Sequence, residues 1–275
     1  MSVQAELDTM MDELASSFFA YTDAQADRIA NRINRIRIEI NDILSDYAKV
    51  DDTVSKSRIN SLLRELDEIE SEIGLELSDE IESSIIKAVE RAGNESSKAL
   101  KTVLGSAAII GGIVVVEIVD FVLKRKGKDG LILADRINSL AGLLRDEMQQ
   151  AIRYGVLRGE TVTQIARRVK TAFDSAVWQI KRIVQTELPI AFRVGIAKIG
   201  EKTNVVKAIK IIDEVGRASH PSRHHYHECY RLANQDKYGM GKGIYLPQDT
   251  FIFAPHPNCT AYYRYILRGD AIVNG

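Results

Sequence analysis

The chain has 275 residues, 45% of them apolar and 27% charged, the balance of a folded protein of one large or two ordinary domains. Its formal charge is −1, yet residues 1–100 carry 22 acidic and 11 basic side chains, which leaves +10 on the remainder; a chain so divided suits a different partner on each half. Two cysteines exclude a disulfide framework, and the acidic opening MSVQAELDTMMDE lacks the charged-then-apolar order of a signal peptide.

No proline precedes Pro189, and four of the five follow residue 220. Proline breaks helix interiors through its missing N–H and its ring clash. The expected fold is therefore mainly α with a small C-terminal α+β module, and it begins with a long N-terminal helical hairpin region. Ile29, Ile33, Ile36, Ile40, Ile43 and Tyr47 alternate steps of four and three, as do Ile59, Leu62, Leu66, Ile69 and Ile73. Each series is a heptad seam that keeps an apolar stripe against a partner helix. Between them KVDDTVSKS (49–57) supplies turn residues, with Asp52 or Thr53 as the N-cap. The seams serve either an internal core or packing against other copies of the chain.

A third helix is expected over 78–101, capped by Ser78 or Asp79. The apolar segment LGSAAIIGGIVVVEIVDFVL (104–123) follows, interrupted by Glu117 and Asp120. Its uncharged run is shorter than the roughly 20 residues of a spanning helix, so it reads as a buried helix or strand. The alternative is a segment that contacts a membrane only at a functional moment. KRKGKDG (124–130) is a basic linker. The domain organisation is thus 1–103 helical, 104–130 apolar segment and linker, and 131–275 a second domain.

Within 131–275, residues 133–160 form an amphipathic helix ending at Gly159. Thr161 or Thr163 caps a short helix over 163–173, and a longer helix covers 176–202. Arg167, Arg168, Lys170, Lys181 and Arg182 offer a basic face, either solvated or touching phosphates, without interleaved aromatic residues. VVKAIKIIDE (205–214) alternates and is β-branched, as a strand does. IYLP, TFIF and YYRYIL read as further short strands.

All five histidines and both cysteines lie between 220 and 259. Long loops with little apolar content need another source of order, and zinc takes Cys sulfur and His nitrogen tetrahedrally. His227 with Cys229, and His256 with Cys259, offer two ligands each; His220 or His224 are alternates for the first pair. Proline on both sides of His256 restrains its backbone. A structural zinc is the candidate cofactor. A metal-free cluster of hydrogen-bonded histidines and a catalytic metal or thiol are the alternatives. HHYHEC is not the HExxH of zinc proteases, and no orienting third group or oxyanion hole is evident for a Cys–His nucleophile. The chain is not expected to be an enzyme.

The order GETVTQIARRV (159–169), QTE (185–187), DEVGRASH (213–220) and HPNC (256–259) resembles the Mu F-like minor head protein family of tailed bacteriophages, the phage head morphogenesis domain. The resemblance covers roughly 135–268. The residues it carries over are Thr186, Glu187, Asp213, Glu214, Arg217, His220, His256, Pro257, Asn258 and Cys259. Gln185 stands where the family usually has arginine. Thr260 and Ala261 stand where its terminal motif has arginine and a second cysteine, which removes one candidate metal ligand. The resemblance implies a structural minor capsid component in the virion. Its implied partners are the portal protein, capsid or scaffold proteins, and packaged DNA, with roles in head assembly, DNA packaging or ejection. A membrane-active ejection protein using 104–123, and a metal-dependent hydrolase or nuclease using His224, His227, Cys229 and His256, are the competing expectations.

Overall fold

The computed structural model describes residues 2–111, 115–127, 129–213 and 226–269, the side chains of 68–73 excepted. It is mainly α with a small antiparallel sheet near the C-terminus, as expected. No glycine or proline occurs before Gly74, and helix α1 runs unbroken over Val3–Asp46. A turn follows in which Asp52 takes a positive φ of 59° and Thr53 donates from its N–H and its hydroxyl to Asp51 Oδ1. The cap before the next helical turn is Ser55, not Asp52 or Thr53, because those two residues are spent on the turn itself.

Helix α2 covers Ile59–Leu104, so the separate third helix over 78–101 is not formed. Ser78 and Asp79 have capping side chains, but the apolar seam passes through them in phase: Leu62, Leu66, Leu77, Ile81 and Ile85 are all buried. A seam without a phase break gives the chain no reason to leave the helix.

Contacts divide the chain into two compact units, each assembled from separate stretches: Met1–Ala24, Ser83–Val122 and Gln185–Gly275 in one, Gln25–Glu82 and Leu123–Val184 in the other. This grouping departs from the linear division at 103 and 130. The long helices α1 and α2 each supply residues to both units, so no single cut in sequence separates them.

In the second unit the two arms of the hairpin are joined by ion pairs, Arg28–Glu80 at 3.2 Å and Arg32–Glu76 at 2.6 Å. Helix α4 (Leu133–Arg158) buries Ile137, Leu144, Met148 and Ile152, and Gly159 ends it in the left-handed conformation at φ 71°, where a side chain would be strained. Thr161 then caps helix α5 reciprocally with Gln164: Gln164 N–H donates to Thr161 Oγ1, and Thr161 N–H to Gln164 Oε1. Val162 N–H donates to Asp52 O at 2.8 Å, tying this loop to the hairpin turn.

Helix α5 is a single element, Val162–Glu201, where two helices were expected. Asp174 and Ser175 face solvent, while Ile165, Val169, Phe173, Ala176, Ile180 and Val184 form a continuous buried seam. Pro189 lies inside the helix and has no N–H for the carbonyl of Gln185 one turn back.

In the first unit, Phe18 stacks on Phe192 with centroids 3.9 Å apart. A Cβ on Gly195 would stand 2.7 Å from Ala92 Cβ, so α2 and α5 approach closely there. The 104–123 segment is neither one helix nor one strand. A 3-10 turn at Gly105–Ala107 leads to a bridge between Ile110 and Thr203, and helix α3 spans Val115–Lys124. Helix α3 is amphipathic, burying Ile118, Val119 and Val122 while Glu117 and Asp120 face solvent. Among the described residues no helix is long and apolar enough to cross a membrane.

The sheet has the order β2–β1–β3, with β1 at Val206–Ile212, β2 at Ile244–Tyr245 and β3 at Tyr262–Leu267. Ile209 sits opposite both Tyr245 and Tyr265. The free edge of β3 is met by the side chain of Gln4, which donates to Tyr265 O at 2.8 Å and accepts from Leu267 N–H at 3.0 Å, so a side-chain amide takes the place of a neighbouring strand. TFIF is not a strand: Thr250–Ile252 form a 3-10 turn after Asp249, whose carboxylate accepts from Leu246 N–H. Helix α6, Glu228–Asn234, packs beside β1.

Candidate metal centre

The His-Pro-Asn-Cys turn enters β3 and is held from helix α5. Asn258 has a positive φ of 52°. Thr186 Oγ1 donates to Asn258 Oδ1 at 3.1 Å and accepts from Asn258 N–H at 3.1 Å. Two turns further along α5, Arg193 is 1% exposed. Its Nε donates to Phe253 O at 2.8 Å, and its Nη1 to Cys259 O at 3.1 Å and Ala261 O at 2.9 Å. One guanidinium therefore grips the chain on both sides of the histidine–cysteine pair. Sequence reasoning missed Arg193. The available signal was a lone cation inside the apolar run LPIAFRVGIA.

Helix α6 brings the other half. His227 is its N-cap residue and Cys229 lies in its first turn, buried. The Sγ of Cys229 is 3.0 Å from Nε2 of His256, and the rings of His227 and His256 are 4.7 Å apart between centroids. Donor atoms of His227, Cys229 and His256 all lie within 4.8 Å of one another. Cys259 is equally buried and acts electrostatically on both Cys229 and His256, and Asp213, just after β1, acts on Cys229. Of the four expected ligands, His227, Cys229 and His256 form one group of donor atoms, and Cys259 is buried on the turn that carries His256. Glu187 is buried on α5. Glu214, Arg217, His220 and His224 lie outside the described residues.

The electrostatics separate the two thiols, both free cysteines. Cys229 is held well above the usual thiol range by its hydrogen bond to Cys259, by burial, and by the charges of Cys259 and Asp213. Cys259 is held well below it by the hydrogen bond from Cys229, against its burial, with Arg193 and His256 adding to the effect. Burial lowers the affinity of His256 for its proton, but hydrogen bonds to Cys259 and Pro257 outweigh it and the net direction is upward. His256 Nδ1 lies 2.8 Å from Pro257 O. A carbonyl only accepts, so Nδ1 carries hydrogen, and Nε2 is the nitrogen that faces the Cys229 thiol.

A cleft of about 330 Å³ opens beside Cys259, between Thr22 and Asp23 of α1 and Gln185 and Pro189 of α5. Gln185 Nε2 donates to Asp23 Oδ1 at 3.0 Å across it.

The basic residues of α5 are largely neutralised. Arg168 pairs with Glu160 at 2.8 Å, Lys181 with Asp27 at 2.6 Å, and Lys170 with Asp174. Aromatic rings do interleave with them, contrary to the sequence reading. Arg168 lies over Tyr154 and Arg182 over the exposed Trp178. Helical spacing makes Trp178 and Arg182 neighbours on α5, whereas Tyr154 on α4 meets Arg168 on α5 across the turn between the two helices.

Comparison of the chain with protein-family models, with curated proteins and with solved structures gives no match.

Proposed function

We propose that this chain is a structural, portal-associated minor head protein of a tailed bacteriophage, resident in the virion and acting in head assembly, DNA packaging or retention, or ejection. One observation carries the reading. The short motifs that make the resemblance are scattered over about 100 residues, and side chains from those within 185–259 meet. Thr186 bonds Asn258, and Asp213, Cys229, His256 and Cys259 share one cluster. Chance likeness of letters has no reason to put motif residues in mutual contact.

The buried guanidinium and paired turn make the C-terminal module a firm body that a larger assembly can grip. The long helices of the hairpin offer surface for the portal, for capsid or scaffold proteins, or for other copies of the chain. Tyr154, Trp178, Arg168 and Arg182 supply ring and cation contacts suited to loose, sequence-independent touching of packaged DNA. The role needs no catalytic step.

The test is mass spectrometry of purified procapsids and mature virions of the phage that encodes the chain, with co-purification on tagged portal protein. Presence in both particles at low copy number, with recovery on the portal, is the expected result. Particles lacking the protein overturn the proposal.

A further inference from the structure

We propose that His227, Cys229, His256 and Cys259 bind one zinc-class divalent ion in a closed four-ligand site that joins the start of helix α6 to the turn before β3. The first support is convergence. Three donor atoms from two separate stretches lie within 4.8 Å of one another, and the fourth candidate, the buried Cys259 thiol, stands three residues after His256 on the same turn. Donors this close are what an ion at about 2.0 Å from nitrogen and 2.3 Å from sulfur requires. The 3.0 Å contact between Cys229 Sγ and His256 Nε2 opens to about 3.5 Å when both atoms reach one tetrahedral ion at those lengths.

The second support is the outer shell. Metal-bound histidines donate their other ring N–H to a carbonyl or carboxylate, which orients the ring. His256 does this with Pro257 O. The turn that bears His256 and Cys259 is held before any ion arrives, by Thr186 on Asn258 and by Arg193 on the carbonyls of Phe253, Cys259 and Ala261. The third is chemical class. Two thiolates and two imidazoles suit zinc and exclude magnesium and calcium, which take oxygen ligands.

The ion would hold together segments that the sheet does not. Helix α6 is seven residues long, too short to be stable alone. Two ligands at its start and two in the opposite turn anchor it without a larger apolar core. Binding displaces the thiol protons to solvent and involves no oxidation or reduction.

The test uses the full chain, purified under reducing conditions from zinc-supplemented cells. Elemental analysis is expected to give one zinc per chain. Replacement of the zinc by Co2+ is expected to give the intense bands of a tetrahedral site, with thiolate-to-cobalt charge transfer that falls by about half in Cys229→Ser and in Cys259→Ser. Wild-type chain that retains no stoichiometric zinc, and leaves added Co2+ with its weak octahedral spectrum, overturns the proposal whether or not the variants fold. So does a Cys229–Cys259 disulfide in the freshly alkylated protein, or a Cys259→Ser variant with undiminished charge transfer. Particle composition is blind to the metal, so failure here and failure of the virion reading are distinguishable.

Discussion

Thr186 and Asn258 stand 72 residues apart and exchange two hydrogen bonds through a single hydroxyl. The hydroxyl supports a backbone conformation, φ 52° at Asn258, that few residues other than glycine and asparagine adopt. Replacing Thr186 by valine keeps the shape and removes both bonds. The expected loss is about 1–2 kcal/mol of unfolding free energy, read by urea denaturation, with Thr186→Ser close to wild type. Equal loss in the serine variant would show that packing, and not the hydroxyl, is what the site uses.

Arg193 is expected to be among the costliest positions to change. Arg193→Met leaves three buried carbonyls without their donor and should cost about 3 kcal/mol. Arg193→Lys should recover little of it, because one ammonium cannot reproduce the planar fork that spans Phe253, Cys259 and Ala261. Thermal unfolding of the three proteins at matched metal content checks this. A lysine variant as stable as wild type would reduce Arg193 to a mere charge.

Gly195→Ala brings a methyl to 2.7 Å from Ala92 Cβ, at a place where both neighbours sit on helix backbones. Overpacking of this kind costs about 1–3 kcal/mol. Ala92→Gly in the same chain should return most of that loss, giving a coupling energy that a double-mutant cycle measures. Additive effects would mean that α2 and α5 do not touch there.

Alkaline pH should destabilise the sheet. Burial, and then the hydrogen bond to Asp12, raise Tyr262 to about 12, and burial also raises Tyr245, Tyr263 and Tyr265. The unfolded chain releases these protons near pH 10, whereas the folded chain keeps them. The stability linked to them is therefore complete below about pH 10 and is lost as pH rises through the folded values. For Tyr262 that window is 10 to 12. Spectrophotometric titration should show these phenolates appearing late, and Tyr262→Phe should flatten the stability loss in that window. Normal titration of all ten tyrosines would place these rings in water.

Much of the helical architecture was legible. The isoleucine seam of α1, the glycine stop at 159, the Thr161 cap and the strands around 206–212 and 262–267 each express a local rule, a period of a few residues or a backbone angle. The errors share a cause. Ser78–Asp79 and Asp174–Ser175 look like boundaries because their side chains cap helices well. Whether a helix stops is decided by whether its seam still has a partner, and both seams do. TFIF looked like a strand from its residue types, but Asp249 offered its backbone a turn instead.

The sequence by itself settled the helical content, the polarity of charge along the chain, and the short set of side chains able to ligate a metal. Those properties reside in composition and in spacings of two to seven residues. Only the tertiary structure decided that His227, Cys229 and His256 converge with Cys259 buried on the same turn, that Arg193 holds that turn, and that each long helix serves two cores. A 44-residue helix is about 65 Å long, more than one small core can cover, so the grouping follows where the chain returns and not where its pattern changes. Proximity across 60 or 70 residues depends on every intervening turn at once, and no local spacing records it.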